Sequence, residues 1–245
     1  MDDLNRRVDD YEMRILITGA NRGLGLALAR EACARGHAVL AGVRGPGSSV
    51  EQLQPLIEQY GDRVTILPID VADENSIRYA SEQAAVRFEG IDVIINSAAI
   101  LLGRNQKLEQ LDLEQLEQSF QTNLYGPILV LKHFLPLLRK GQRQAVINIS
   151  SEAGSSAGAY GGDYSYALSK SALNMFSAQL RAELGPQGML VHAVHPGWIR
   201  TDMGGEQAPG DAEESARGIL DLAERQTTAE GGALFIDHRG VPMRL

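Results

Sequence analysis

The chain is constrained most by a rhythm. Short runs that are apolar throughout recur at even intervals, and helical patterns separate them. The runs are RILITG (14–19), AVLAGV (38–43), VTILPID (64–70), IDVIINS (91–97), AVINISS (145–151), MLVHAVHPG (189–197) and GALFID (232–237). A strand with one wet face alternates apolar and polar residues, whereas a strand covered on both faces is apolar along its length. Between the runs lie helical patterns at 23–36, 49–61, 73–90, 113–141, 166–185 and 211–224. Strand and helix in alternation predict an α/β fold, a doubly wound parallel sheet with helices on both faces. Ligands of such sheets bind beyond the carboxyl ends of the strands, so the loops that follow the strands are where chemistry is expected.

The 245 residues carry a net charge of -8, with 44% hydrophobic and 22% charged residues. That composition supports a large core and excludes disorder along the whole chain. The acidic balance and the scattered basic residues argue against a nucleic-acid partner. Cys33 is the only cysteine, so no intrachain disulfide and no cysteine-based zinc site is expected, and no metal is expected elsewhere. Cys33 itself reads as an inert residue of a buried helix face. No run reaches the length of a membrane span, and a cytoplasmic protein is expected. Residues 1–12 read as a loose tail ahead of one domain over 13–245. Gly36 is placed to end the first helix, and Ser48 or Ser49 to cap the second.

The first loop, TGANRGLG (18–25), places Gly19, Gly23 and Gly25 between the first strand and the first helix. Glycines there let the backbone turn tightly and approach a pyrophosphate, and the helix start offers free N–H groups to it. A Rossmann-type dinucleotide site is the expectation, with Asn21, Arg22 and Leu24 in the same loop. NAD sites carry an acid at the end of the second strand. Here no Asp or Glu lies between Glu31 and Glu51, and Arg44 stands in that region with Arg22 nearby. Two guanidiniums without a carboxylate predict NADP(H) in preference to NAD(H). Asp70, closing the third run, reads equally as an adenine partner beside Val71 or as a helix cap, a role for which Asp73 competes.

GDYSYALSK (162–170) holds two tyrosines and one lysine. Residues four apart share a helix face, which pairs Tyr166 with Lys170 and leaves Tyr164 near the helix start. A neighbouring ammonium is expected to lower the phenol pKa and poise Tyr166 for proton transfer. TGANRGLG, YALSK, NISSEAG and HPGWIRTDM, in that family's order over most of the chain, resemble the short-chain dehydrogenase/reductase superfamily. The HPGWIRTDMGG stretch looks most like its C-factor and sniffer-type carbonyl reductases.

The resemblance implies an oxidoreductase that moves a hydride between NADP(H) and a carbonyl or secondary alcohol. Tyr166 would be the general acid/base, helped by Lys170. The serine of the Ser-x-x-Gly element falls on Ser151. Ser150 is the runner-up, but strand alternation points it to the opposite face. Asn123, in the long helix, would hold a water and the lysine. NSAA (96–99) matches the family's turn at Asn96 and Ala98 and departs from it at Ser97 and Ala99. Pro196 and Gly197 would shape the nicotinamide wall, with the Ile199 backbone and Thr201 beside it. Trp198 would line the substrate pocket with Ser151 and Tyr166, and residues 202–215 would form a lid. His192 and His195 read as packed strand residues. A homodimer or homotetramer through helices 113–141 and 166–185 is expected. The alternative is a non-catalytic NADP(H)-binding protein for signalling or redox sensing.

Overall fold

A computed structural model describes residues 12–45 and 50–245. Seven strands form one parallel sheet: β1 (Arg14–Thr18), β2 (Ala38–Val43), β3 (Val64–Pro68), β4 (Val93–Asn96), β5 (Ala145–Ile149), β6 (Leu190–His195) and β7 (Phe235–Asp237). Their order is β3-β2-β1-β4-β5-β6-β7. β1 is the pivot: Ile15 pairs with Val39 of β2 on one side and Val93 of β4 on the other. The winding reverses there, which opens a crevice above β1 and β4.

The helices are α1 (Gly23–Ala34), α2 (Gln54–Tyr60), α3 (Glu74–Arg87), α4 (Leu113–Phe120), α5 (Gly126–Leu138), α6 (Tyr164–Leu184) and α7 (Ala212–Ala223). Successive strand residues feed opposite faces. Ile15 and Ile17 join Leu28, Ile219 and Leu220 of α1 and α7 in one core layer. Leu16, Ile94 and Val146 join Ile77, Phe134 and Leu184 of α3, α5 and α6 in the other. This is the doubly wound sheet that the apolar runs predict. Gly36, at φ +87°, ends α1 as expected.

The differences lie at element ends. The stretch 113–141 is not one α-helix: a π-helical turn, Gln121–Tyr125, separates α4 from α5. β3 stops at Pro68 and β5 at Ile149, short of Asp70 and Ser151, because both residues begin loops. α6 starts at Tyr164 rather than 166. Residues 46–49 lie outside the described residues, and with them the Ser48 and Ser49 caps; so do residues 1–11, nearly all of the expected tail. The chain is tied in from Met13, whose N–H donates to His37 Nδ1 at 3.3 Å.

Candidate active site

The crevice is floored by the loop after β1. Gly19 and Gly23 sit at φ +69° and +51°, where a side chain would strain the backbone. A Cβ at Gly25 would stand 2.1 Å from the Gly19 carbonyl oxygen, so the turn closes only with glycine there. A Cβ at Gly19 would meet Ala98 Cα at 3.0 Å, and one at Gly23 would meet Thr201 Cγ2 at 3.3 Å. Three loops far apart in sequence therefore pack edge to edge. Arg22 takes the N-cap position of α1 without a side-chain cap, and the first turn carries no acid. The helix presents its unsatisfied N–H groups and positive end to the crevice. This cradle fits the pyrophosphate of a dinucleotide, and β2 ends without a carboxylate at Arg44.

Thr18, which sequence reasoning missed, ties the cradle to β4. Its Oγ1 accepts the Ser97 and Ala98 N–H groups, both at 3.1 Å. Asn96 turns its side chain into the sheet, where Nδ2 donates to Asn148 Oδ1 at 2.8 Å. Asn148 in turn donates to Ser177 of α6 at 2.8 Å. Asn96 is thus committed to joining β4 and β5. Asp73 wins the capping competition, accepting Asn75 N–H, while Asp70 accepts Ala72 N–H within its own turn. Val71 packs where a Cβ on Gly126 would stand 3.0 Å away. Arg22 lies 3.4 Å from Asp202, an exposed pair that joins the glycine loop to the expected lid.

The loop after β5 and the start of α6 bring Ser151, Tyr166 and Lys170 together. Ser151 stands close enough to the Tyr166 hydroxyl to hold the phenol pKa down. Ser150 faces the other way, its hydroxyl donating to Asn174 Oδ1 at 2.6 Å. Lys170 is 2% exposed, with Nζ 5.6 Å from the Tyr166 ring centroid and donating to the Ile149 carbonyl at 2.7 Å. The expectation that the lysine lowers the phenol pKa does not hold. Burial pushes Tyr166 up to about 12, with Ser151 pulling it down against that. Burial also pushes Lys170 down to about 7. Both groups are short of solvent, and desolvation is the largest cause of each shift. Tyr166 is consequently a neutral phenol, protonated and able to donate.

Asn123 sits in the π-helical turn and clamps Ile100. Its Oδ1 accepts the Ile100 N–H and its Nδ2 donates to the Ile100 carbonyl, each at 2.9 Å. Nδ2 also donates to Ser169 Oγ at 3.0 Å, and Ser169 donates to the Tyr166 carbonyl at 2.7 Å. Asn123 holds the turn of α6 that carries Tyr166, and the lysine finds its acceptor on β5.

The far wall follows β6. Gly197 has φ +90°, and the Pro196 carbonyl accepts the Ser215 hydroxyl at 2.6 Å. Ile199 is buried and bridges to Gly210. Thr201 Oγ1 accepts Gly204 N–H at 3.1 Å, and the half-exposed Trp198 donates its indole N–H to the Gly204 carbonyl at 2.8 Å. Both therefore shape the turn at the root of the lid. Arg104, another residue missed, donates to the Met203 carbonyl at 3.1 Å and straps the loop after β4 to that lid. His192 is buried beside the Leu234 carbonyl, as its strand position predicts. No group of metal-binding side chains occurs among the described residues, and no helix among them is long and apolar enough to cross a membrane.

The family model for short chain dehydrogenases matches residues 13–212, and the chain belongs to the short-chain dehydrogenase/reductase family. Within it the chain falls with the C-factor and sniffer-type branch. It is 32% identical to the NADPH-bound carbonyl reductase from chicken fatty liver, with a TM-score of 0.84 over 96% of this chain and 99% of that one. It is 32% identical to the carbonyl reductase Sniffer of D. melanogaster, with a TM-score of 0.85 over 96% of this chain and all of that one. C-signal of Myxococcus xanthus is 36% identical over 151 residues, 61% of this chain and 90% of that protein.

Proposed function

We propose that this oxidoreductase is an NADP(H)-dependent carbonyl reductase. The observation that carries the reading is the Ser151–Tyr166–Lys170 cluster at the strand ends, beside a glycine cradle that leaves room for a close-approaching anion. NADPH, when bound, supplies the hydride for the carbonyl carbon. The chain's residues supply position and a proton. Gly19, Gly23 and Gly25 with the start of α1 take the pyrophosphate. Arg44 and Arg22 take the 2′-phosphate, with Arg22 exchanging Asp202 for it. Ser151 holds the substrate oxygen beside the phenol. Tyr166, protonated at neutral pH, delivers its proton to that oxygen as negative charge builds there. Lys170, once protonated, stabilises the phenolate that remains. Asn123 keeps the Tyr166 turn in place through Ser169.

Two related proteins of known structure are named as carbonyl reductases, and one of them is NADPH-bound, which supports both the reaction and the cofactor. The presence of Ser151, Tyr166, Lys170 and Asn123 together favours turnover over a purely signalling role.

The test is NADPH oxidation with a panel of ketones, aldehydes and quinones, with NADH in parallel. Tyr166→Phe removes the proton donor and should lower kcat by roughly a thousandfold, with NADPH affinity retained. Tyr164→Phe should leave turnover intact. Full activity in Tyr166→Phe defeats the reading.

A further inference from the structure

The turn that aims Ser151 is held from outside by a histidine. Residues 151–154 form a tight turn whose amides need acceptors. Ala153 N–H donates to Ser151 Oγ at 3.2 Å, Gly154 N–H to the Ser151 carbonyl at 3.0 Å, and Ser155 N–H to the Glu152 carbonyl at 2.9 Å. The Glu152 N–H directly follows Ser151, and its acceptor is Nδ1 of His195 at 3.2 Å. His195 ends β6. On the other side of Ser151, Ser150 N–H donates to the Val194 carbonyl at 2.8 Å. The backbone around Ser151 is thus pinned at both flanks by consecutive residues of β6.

We propose that His195 is a positioning residue for Ser151, acting through the Glu152 amide. This rests on the reading of Ser151 and Tyr166 above. An Nδ1 that accepts must be unprotonated, so the neutral ring carries its proton on Nε2. Protonation puts an N–H on Nδ1 opposite the Glu152 N–H, and two donors then face each other. The turn gives way and Ser151 loses its aim.

The charged and titratable groups around the ring are Glu152 from the turn, and Asp237 and His238 from the end of β7. Burial holds His195 below the ordinary histidine range, with Glu152 and Asp237 pulling it up and His238 pulling it down. The neutral ring persists through neutral pH and is lost in acid. In the direction of carbonyl reduction, Tyr166 and Lys170 are both needed protonated, which acid favours. Neither can cause activity to fall at low pH.

The experiment measures kcat/KM for reduction of an uncharged ketone with NADPH from about pH 5 to about pH 8. In parallel, the Glu152 amide is followed by NMR in the same protein. Wild type should lose activity below a midpoint under about pH 6.5, and the Glu152 signal should move with that midpoint. His195→Asn keeps an acceptor that does not titrate. It should retain activity near neutrality within about threefold and lose the acid limb. His195→Leu should lower kcat by about tenfold with NADPH affinity unchanged. An acid limb unaltered in His195→Asn, or full kcat in His195→Leu, overturns the proposal. The two failures are distinguishable. A wild-type protein that reduces no carbonyl defeats the Tyr166 reading, whereas turnover with an unaltered limb defeats this proposal alone. A Glu152 amide that ignores the ionisation of His195 defeats this proposal in either case.

Discussion

Two kinds of helix start stand side by side in this molecule. α3, α4 and α7 each begin on an aspartate, Asp73, Asp112 and Asp211, whose carboxylate accepts the first free N–H groups, and each has further acid in its first turn. α1 begins on Arg22 with neither. The three capped helices satisfy their own ends and contribute stability there, about 1 kcal/mol per cap. α1 leaves its end unsatisfied at the one place where the winding of the sheet reverses. The contrast teaches that an open helix end becomes informative only against closed ones in the same chain. α2, α5 and α6 also start without a side-chain cap, so what sets α1 apart is its uncapped end combined with its place after the glycine turn of β1.

The contrast can be broken most severely at Gly25. Gly25→Val puts side-chain atoms into the Gly19 carbonyl, and NADPH affinity should fall by roughly a hundredfold or more, about 2.7 kcal/mol; fluorescence titration measures it, with circular dichroism to check folding. Native affinity in a folded variant would remove the cradle from consideration. Arg22→Asp is subtler, because it gives α1 the kind of cap that α3 has. NADPH affinity should fall by roughly ten- to a hundredfold, with thermal stability kept or raised. Unchanged affinity would show that this helix end does not meet the phosphates. The smallest effect is the reverse change. Asp73→Ala opens α3 and should cost about 1 kcal/mol in urea unfolding, with NADPH affinity unaltered. A loss of affinity there would blur the division between the two kinds of end.

The sheet was legible because burial on both faces leaves a signature in every strand, and a strand such as VIIN has no other reading once helices flank it. The Tyr166–Lys170 pairing was legible because four residues along a helix is a fixed geometry. Ser151 was chosen over Ser150 on its match to the Ser-x-x-Gly element; strand alternation added only that the two face opposite ways, and the Ser150 hydroxyl is turned to Asn174. What stayed hidden depends on partners brought together only by the fold. Thr18 reads as the last residue of a strand until β4 arrives beside it. Asn148 looks like a polar fault in an apolar run until Asn96 and Ser177 flank it. Arg22 and Asp202 are 180 residues apart, and no local pattern links them. The pKa of Tyr166 was misjudged for a related reason. Spacing reports that two groups are near each other, but not how much water both have lost.

The π-helical turn at Gln121–Tyr125 has a consequence for the whole flank of the molecule. One surplus residue in a turn advances the surface of everything downstream by roughly 100°. Before the slip, α4 lies against α6; after it, α5 lies against α3. A continuous α-helix would keep one compass bearing and could serve only one of these neighbours well. The chain instead changes heading once, at the residue whose amide grips Ile100. The same offset that lets a single rod face two ways also brings Asn123 round to the catalytic side.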